Sequence, residues 1–369
     1  MGSARNRLML ATTVAAATAA GGSALVTKAK VREQRRRPDA EARALGTALP
    51  ADRTTTVRAE DGVRLHVEDV GAVDAPLTVI FAHGWTCTME TWTYQRRALA
   101  GPGVRLIFYD QRGHGRSGRP DAEHSGVDIL GRDLWRVIEA ARPAGHVVLV
   151  GHSMGGMTIM ALADHRPALF GPGGLISGVC LMSTSAGRLA QVTFGLPAAA
   201  AILTRRVLPR SYRTLARIGD RIEARRKSSD LSWLLTKYVS YGGDVPPSLV
   251  ELMERMMAQS PLAVTAQFGS ALLDHDKLAA LPTLRDTPTL ILVGDADVLT
   301  PVDHSRAMQR EAPGSDLVTL PGAGHMVMLE RPALTNLHLR TLLRRARDAA
   351  PNPEPPAGST APPAPSTLA

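Results

Sequence analysis

Gly151-His152-Ser153-Met154-Gly155 places a serine at the centre of a G-x-S-x-G pattern. An apolar, β-branched run, 146–150, precedes it, and a helix-compatible run, 154–164, follows. Strand, sharp turn and helix is the setting in which this pattern forms a nucleophile elbow, lifting the hydroxyl clear of the sheet. Glycines flank the serine because side chains there would collide with the crowded turn. A serine hydroxyl attacks poorly until a base removes its proton. His325 is the best base candidate among 11 histidines, since it lies in Pro321-Gly322-Ala323-Gly324-His325-Met326, a glycine-rich loop after the last expected strand. The imidazole needs a carboxylate to hold its tautomer and stabilise its charged form. Asp297 is favoured over Asp295 in the stretch 294–301, because a residue one step past a strand end more often bonds to nearby backbone as a turn-former. The chain order Ser153, Asp297, His325 is the one that accompanies a nucleophile elbow.

Acyl chemistry also needs donors for a developing oxyanion. Met154 N–H is expected to be one, at a helix N-terminus where the dipole adds positive potential. Trp85 N–H, in His83-Gly84-Trp85 after the third expected strand, is expected to be the other. His83 is then a loop-orienting residue and the Trp85 side chain shapes the pocket. Asp110-Gln111-Arg112-Gly113-His114-Gly115-Arg116-Ser117 is expected to be a structured turn. Its spacing fits no phosphate motif, and His114 is the weaker alternative base.

The elements that must position these groups alternate along the chain. Strands are expected at 55–59, 64–68, 77–82, 105–109, 146–150, 178–182, 289–293 and 316–320, and helices at 90–99, 128–141, 154–164, 303–311 and 332–347. Asp61-Gly62 marks a hairpin between the first two strands. Later strands alternate with helices, which predicts βαβ units and a mostly parallel sheet. Unbroken apolar runs such as 79–81 and 290–293 suit strands buried on both faces. The alternation stops between 187 and 282, where the text reads as helices punctuated by prolines, and this stretch is expected to form a cap. Within it, Trp233, Leu234, Leu235, Met253, Met256 and Met257 are expected either to line an apolar pocket or to pack the cap onto the core.

The organisation that follows is an N-terminal segment with a basic linker over 1–53, core over 54–186, cap over 187–282, core over 283–348, and a proline-rich tail over 349–369. Ordinary hydrophobic (44%) and charged (21%) fractions, over 369 residues, allow a large buried core without disulfides. The two cysteines fit no metal spacing. Of the net charge of +9, most sits in residues 1–53, with ten Lys/Arg against four Asp/Glu. The body is therefore not a basic nucleic-acid binder by composition. Residues 204–227 carry nine Lys/Arg against Asp220 and Glu223, which reads first as a solvated helix face and second as a surface for anionic lipid or acidic substrate. Residues 8–27 are an uncharged run of 20 with more positive charge after it than before. The expectation is a membrane anchor with the body on the cytoplasmic side; a secretory signal or an Ala-rich leader are the alternatives.

Taken together, His83-Gly84-Trp85, the 110–117 turn, Gly151 to Gly156, Gly294 to Pro301 and Gly322 to His325 resemble the α/β-hydrolase superfamily over about 54–347, in its esterase, lipase and cofactor-free haloperoxidase-like branch. The resemblance implies an α/β fold with an eight-stranded, mostly parallel sheet whose second strand is antiparallel. It implies a Ser153, Asp297, His325 triad working without a cofactor or metal. The expected activity is hydrolysis of a small, apolar carboxylic ester through an acyl-enzyme. Amide or carbon–carbon hydrolysis, as in proline iminopeptidase-like members, is the rival activity, and a non-catalytic binding protein is the rival class.

Overall fold

The computed structural model describes residues 31–47, 49–196, 198–223 and 229–349. The run 8–27 and the proline-rich tail beyond Ala349 lie outside the described residues. Eight strands form one sheet in the order β1-β2-β4-β3-β5-β6-β7-β8. They are β1 (Arg53–Arg58), β2 (Arg64–Val70), β3 (Leu77–Ala82), β4 (Val104–Tyr109), β5 (His146–His152), β6 (Ile176–Met182), β7 (Thr289–Gly294) and β8 (Asp316–Leu320). β2 runs antiparallel to both β1 and β4, and the remaining pairs are parallel. Gly62 at φ 86° turns the β1–β2 hairpin, a conformation that favours glycine.

The helices are α1 (Glu41–Gly46), α2 (Thr93–Leu99), α3 (Val127–Ala141), α4 (Met154–His165), α5 (Ala198–Ile222), α6 (Asp230–Ser240), α7 (Pro247–Ala258), α8 (Leu262–Leu273), α9 (Val302–Glu311), α10 (Val327–Glu330) and α11 (Pro332–Asp348). The central strands are buried along their full length, which is why their sequences lack polar alternation. The period of two still sorts their side chains. Val79, Phe81, Phe108, Val150 and Leu292 enter one core with Trp92 and with Leu339 and Leu342 of α11. Ile80, Ile107, Leu149, Val179 and Ile291 enter the other with Leu130 and Leu134 of α3 and Ile159 of α4. Phe81 stacks on Phe108 at 4.7 Å and meets Trp92 at 5.2 Å. Each such fully buried large side chain contributes roughly 1.5–3 kcal/mol, so the site rests on a rigid platform.

Helices α5 to α8 occupy the connection between β6 and β7. Trp233, Leu234, Met253 and Met256 are buried in the first core cluster, packed among protein side chains, while Leu235 is 41% exposed. Packing therefore accounts for four of the six apolar cap residues singled out from the sequence.

The described part of the basic linker expected within 1–53 is not an extended tether. Residues 31–35 are helical, α1 follows, and both dock on the cap and core. Val31 is 1% exposed. Arg35 pairs with Glu254 at 2.8 Å and Asp230 at 3.5 Å, and Arg37 pairs with Asp244 at 2.8 Å. Asp39 accepts from Ser248 N–H at 2.7 Å. The segment is polar because its partners are acids two hundred residues away, a pairing that local composition does not encode.

Candidate active site

Ser153 sits between β5 and α4 at φ 52°, ψ −118°. A non-glycine residue there costs of order 1–3 kcal/mol and persists only where its surroundings force it. The surroundings are tight. A Cβ on Gly151 would lie 2.5 Å from the Gly155 carbonyl carbon, and one on Gly155 2.9 Å from the His83 carbonyl oxygen. Ser153 N–H donates to Met182 O at 2.9 Å, and the Thr184 hydroxyl donates to Ser153 O at 2.7 Å. The elbow is thus pinned to the end of β6.

His325 and Asp297 come from the loops after β8 and β7. His325 Nδ1 donates to Asp297 Oδ2 at 2.9 Å. Leu299 N–H and Thr300 N–H both donate to Asp297 Oδ1 at 2.9 Å, and the Thr300 hydroxyl donates to Oδ2 at 2.7 Å. Burial works to raise the Asp297 pKa, but the His325 charge and these hydrogen bonds outweigh it and hold the carboxyl below its ordinary value. Asp295 instead accepts from Gly322 N–H at 2.7 Å, a bond between the loops after β7 and β8 rather than the local turn expected of it.

The elbow and the imidazole loop meet through His152, whose Nε2 donates to His325 O at 3.1 Å and whose ring lies 4.8 Å from the His325 ring. His152 is fully buried, and burial drives its pKa well below the ordinary value, so it is a neutral donor. Among the described residues no hydrogen bond joins Ser153 Oγ to His325. That contact commonly closes only when substrate is bound.

Gly84 lies against the elbow: a Cβ there would be 3.2 Å from Ser153 Cβ. This sets the Trp85 backbone close to Ser153. Among the described residues neither Trp85 N–H nor Met154 N–H has a hydrogen-bond partner. The Trp85 indole is tied outward, donating to Thr265 O of α8 at 3.0 Å and meeting the Tyr212 ring of α5 at 5.9 Å. The loop is anchored by His83, whose Nδ1 donates to Gly84 O at 2.8 Å while Nε2 accepts from Gln111 N–H at 2.9 Å. Complete burial lowers the His83 pKa to about 4, so it stays neutral and orients the loop. Gln111 donates to His83 O at 2.6 Å and accepts from the Thr158 hydroxyl at 2.8 Å, bridging the loop to α4.

The 110–117 turn is structural. Asp110 accepts from Met89 N–H and Arg116 N–H, both at 2.9 Å. Arg112, 1% exposed, pairs with Asp133 and Asp61 at 2.6 Å each. His114 is buried against His83 and Phe268, its pKa lowered by burial to about 3, and lies apart from the Asp297–His325 pair. His152, Gln111 and Thr300 lie inside motifs quoted from the sequence but were given no role there, and Thr158 and Thr184 lie outside those motifs. Among the described residues one exposed group, Asp128, Asp164 and His165, has metal-ligand spacing. The Lys277 ammonium already binds its two carboxylates at 2.7 and 2.6 Å.

A strained serine at a strand–helix elbow, with a His–Asp pair on the loops after the last two strands of this sheet, defines the hydrolase class built on an α/β sheet. The family model described as "Alpha/beta hydrolase family" matches residues 79–336, and the chain belongs to that family. It is 28% identical over 281 residues to the AB hydrolase superfamily protein YisY of Bacillus subtilis, covering 76% of this chain and 95% of that one. A stretch of 101 residues is 38% identical to a non-heme chloroperoxidase of Streptomyces lividans, covering 27% of this chain and 36% of that protein. Among solved structures, an esterase from Exiguobacterium antarcticum superposes with TM-score 0.64 at 24% identity, over 79% of this chain and all of that one. A thermophilic esterase from Thermogutta terrifontis superposes with TM-score 0.59 at 26% identity, over 80% and 99%.

Proposed function

We propose that this hydrolase cleaves carboxylic esters through an acyl-enzyme on Ser153. The observation that carries the reading is the strained elbow serine facing a loop that holds a buried, hydrogen-bonded His325–Asp297 pair. In this reading His325 takes the Ser153 proton as the oxygen attacks the ester carbonyl. Met154 and Trp85 N–H groups hold the oxyanion. His325 then protonates the leaving alcohol and later activates water, which releases the acid. Asp297 stays ionised, fixing the Nδ1–H tautomer. The likeness to the thermophilic esterase of Thermogutta terrifontis, 26% identical over 80% of this chain, supports an ester over an amide. Ser153→Ala should abolish p-nitrophenyl ester hydrolysis while leaving thermal unfolding near wild type. Hydrolysis at the wild-type rate, or faster turnover of aminoacyl amides than of any ester, overturns the reading.

Membrane association through residues 8–27 is also proposed. No helix among the described residues is long and apolar enough to cross a membrane. Support comes from the outer face of α5, where Ile202, Leu203 and Val207 are 52%, 63% and 49% exposed beside exposed Arg206 and Arg210. Apolar and cationic side chains together suit an anionic lipid surface. The full chain should sediment with membranes and a chain starting at residue 31 should not; equal partitioning refutes the anchor.

A further inference from the structure

Glu330 closes α10, five residues after His325, and its carboxylate is divided between two parts of the molecule. Oε1 accepts from Gly324 N–H at 2.6 Å, the residue before His325. Oε2 accepts from Gly242 N–H at 2.8 Å, in the cap loop between α6 and α7. The two backbones touch here. A Cβ on Gly242 would lie 2.5 Å from Gly324 N, and one on Gly324 2.5 Å from the Tyr241 carbonyl carbon. Met326 N–H also donates to Ser240 O at the end of α6, at 3.0 Å. The loop that carries the imidazole is therefore bonded on both sides of His325 to the cap, and the Glu330 carboxylate accepts from both backbones of that seam.

We propose that Glu330 is a positioning residue that locks the His325 loop to the cap through Gly324 N–H and Gly242 N–H, so that cap position and imidazole placement change together. The proposal rests on the catalytic role of His325 argued above. Its physical basis is direct: one ionised carboxylate accepting a backbone N–H on each oxygen makes two charge-assisted bonds that tie the two peptides to each other, and both glycines are needed for the approach. A substrate group that pushes the Tyr241–Gly242 loop would be felt at His325. Charged and titratable groups facing the carboxylate are Arg331 on the adjoining turn, Asp297 on the loop after β7 and Tyr241 on the cap. Burial, the leading influence, raises the Glu330 pKa to about 7 despite the two N–H bonds and Arg331. The lock is then at full strength only above neutral pH.

The first test uses wild-type protein and no substrate. The side-chain carboxyl carbon of Glu330 and the amide resonances of Gly242 and Gly324 are followed by NMR from pH 5.5 to 8.5. All three should move with one shared midpoint; independent midpoints, or static amides, overturn the lock whatever the enzyme hydrolyses. The second test is Glu330→Gln, whose amide keeps one acceptor and turns an NH2 group towards an N–H donor. kcat for a p-nitrophenyl ester should fall about tenfold with KM within twofold, and hydrogen exchange at Gly242 and Gly324 should accelerate together. Accelerated exchange with unchanged kcat would show a seam that does not position His325. Inactivity of the wild type would refute the ester reading and leave the NMR result standing.

Discussion

Asp297→Asn isolates the part of the site that is chemical rather than structural. The wild-type carboxylate accepts four hydrogen bonds: two from Leu299 and Thr300 N–H on Oδ1, and two on Oδ2, from the Thr300 hydroxyl and His325 Nδ1–H. Asparagine fits the same space, and its oxygen keeps the two backbone donors. Its NH2 group then faces two other donors. The Thr300 hydroxyl relieves its conflict by rotating to accept. The imidazole relieves its own only by moving its proton to Nε2, so that Nδ1 accepts. In that tautomer Nε2 cannot take the Ser153 proton. Restoring the reactive tautomer sets N–H against N–H and gives up a charge-assisted bond worth about 1.5–3 kcal/mol, and the imidazolium of the transition state loses its counter-charge as well. The summed loss is on the order of 4–5.5 kcal/mol, or about 10³–10⁴ in kcat. Steady-state hydrolysis of a p-nitrophenyl ester measures it, with thermal unfolding as the control for the fold. A loss smaller than tenfold in a folded variant would refute the role given to Asp297.

Two further predictions concern stability. His83, His114 and His275 are buried with pKa values lowered to about 4, 3 and 4, so the folded chain keeps them neutral while the unfolded chain protonates near 6.5. The unfolded state binds more protons, so stability is full above pH 6.5 and declines as pH falls towards 4. Glu330 works in the opposite sense over 7 to 4.5 but is outnumbered; denaturant midpoints should therefore fall from pH 7 to pH 4, and a rise would contradict this burial. Arg112→Ala leaves Asp133, 2% exposed, without its ion pair and should destabilise the chain by about 3–5 kcal/mol, read by urea unfolding; a cost under 1 kcal/mol would mean that water reaches Asp133.

The parts of this molecule legible in the sequence are those encoded within a few residues. The unbroken run Val79-Ile80-Phe81 specifies a strand buried on both faces, and β3 is one. Gly151 and Gly155 announce a crowded turn because nothing larger fits, and Ser153 carries the strain they permit. Asp297 and His325 could be named because each lies just past an expected strand end, in the chain order that accompanies a nucleophile elbow. The parts that were missed depend on partners far along the chain. Arg35 looks like linker charge until Glu254 stands opposite it. Gln111 is a turn residue until its amide is seen bridging His83 and Thr158. Glu330 reads as an ordinary helix-end acid, since nothing in its neighbourhood announces Gly242.

The central claim is that Ser153 becomes covalently acylated. Quenching the enzyme within milliseconds of mixing with a p-nitrophenyl ester, then mapping peptides by mass spectrometry, tests it directly. The account predicts an acyl mass on the peptide containing Ser153, a burst of p-nitrophenol matching it in amount, and neither in Ser153→Ala. Turnover with no adduct, or an adduct on another residue that persists in Ser153→Ala, would contradict it.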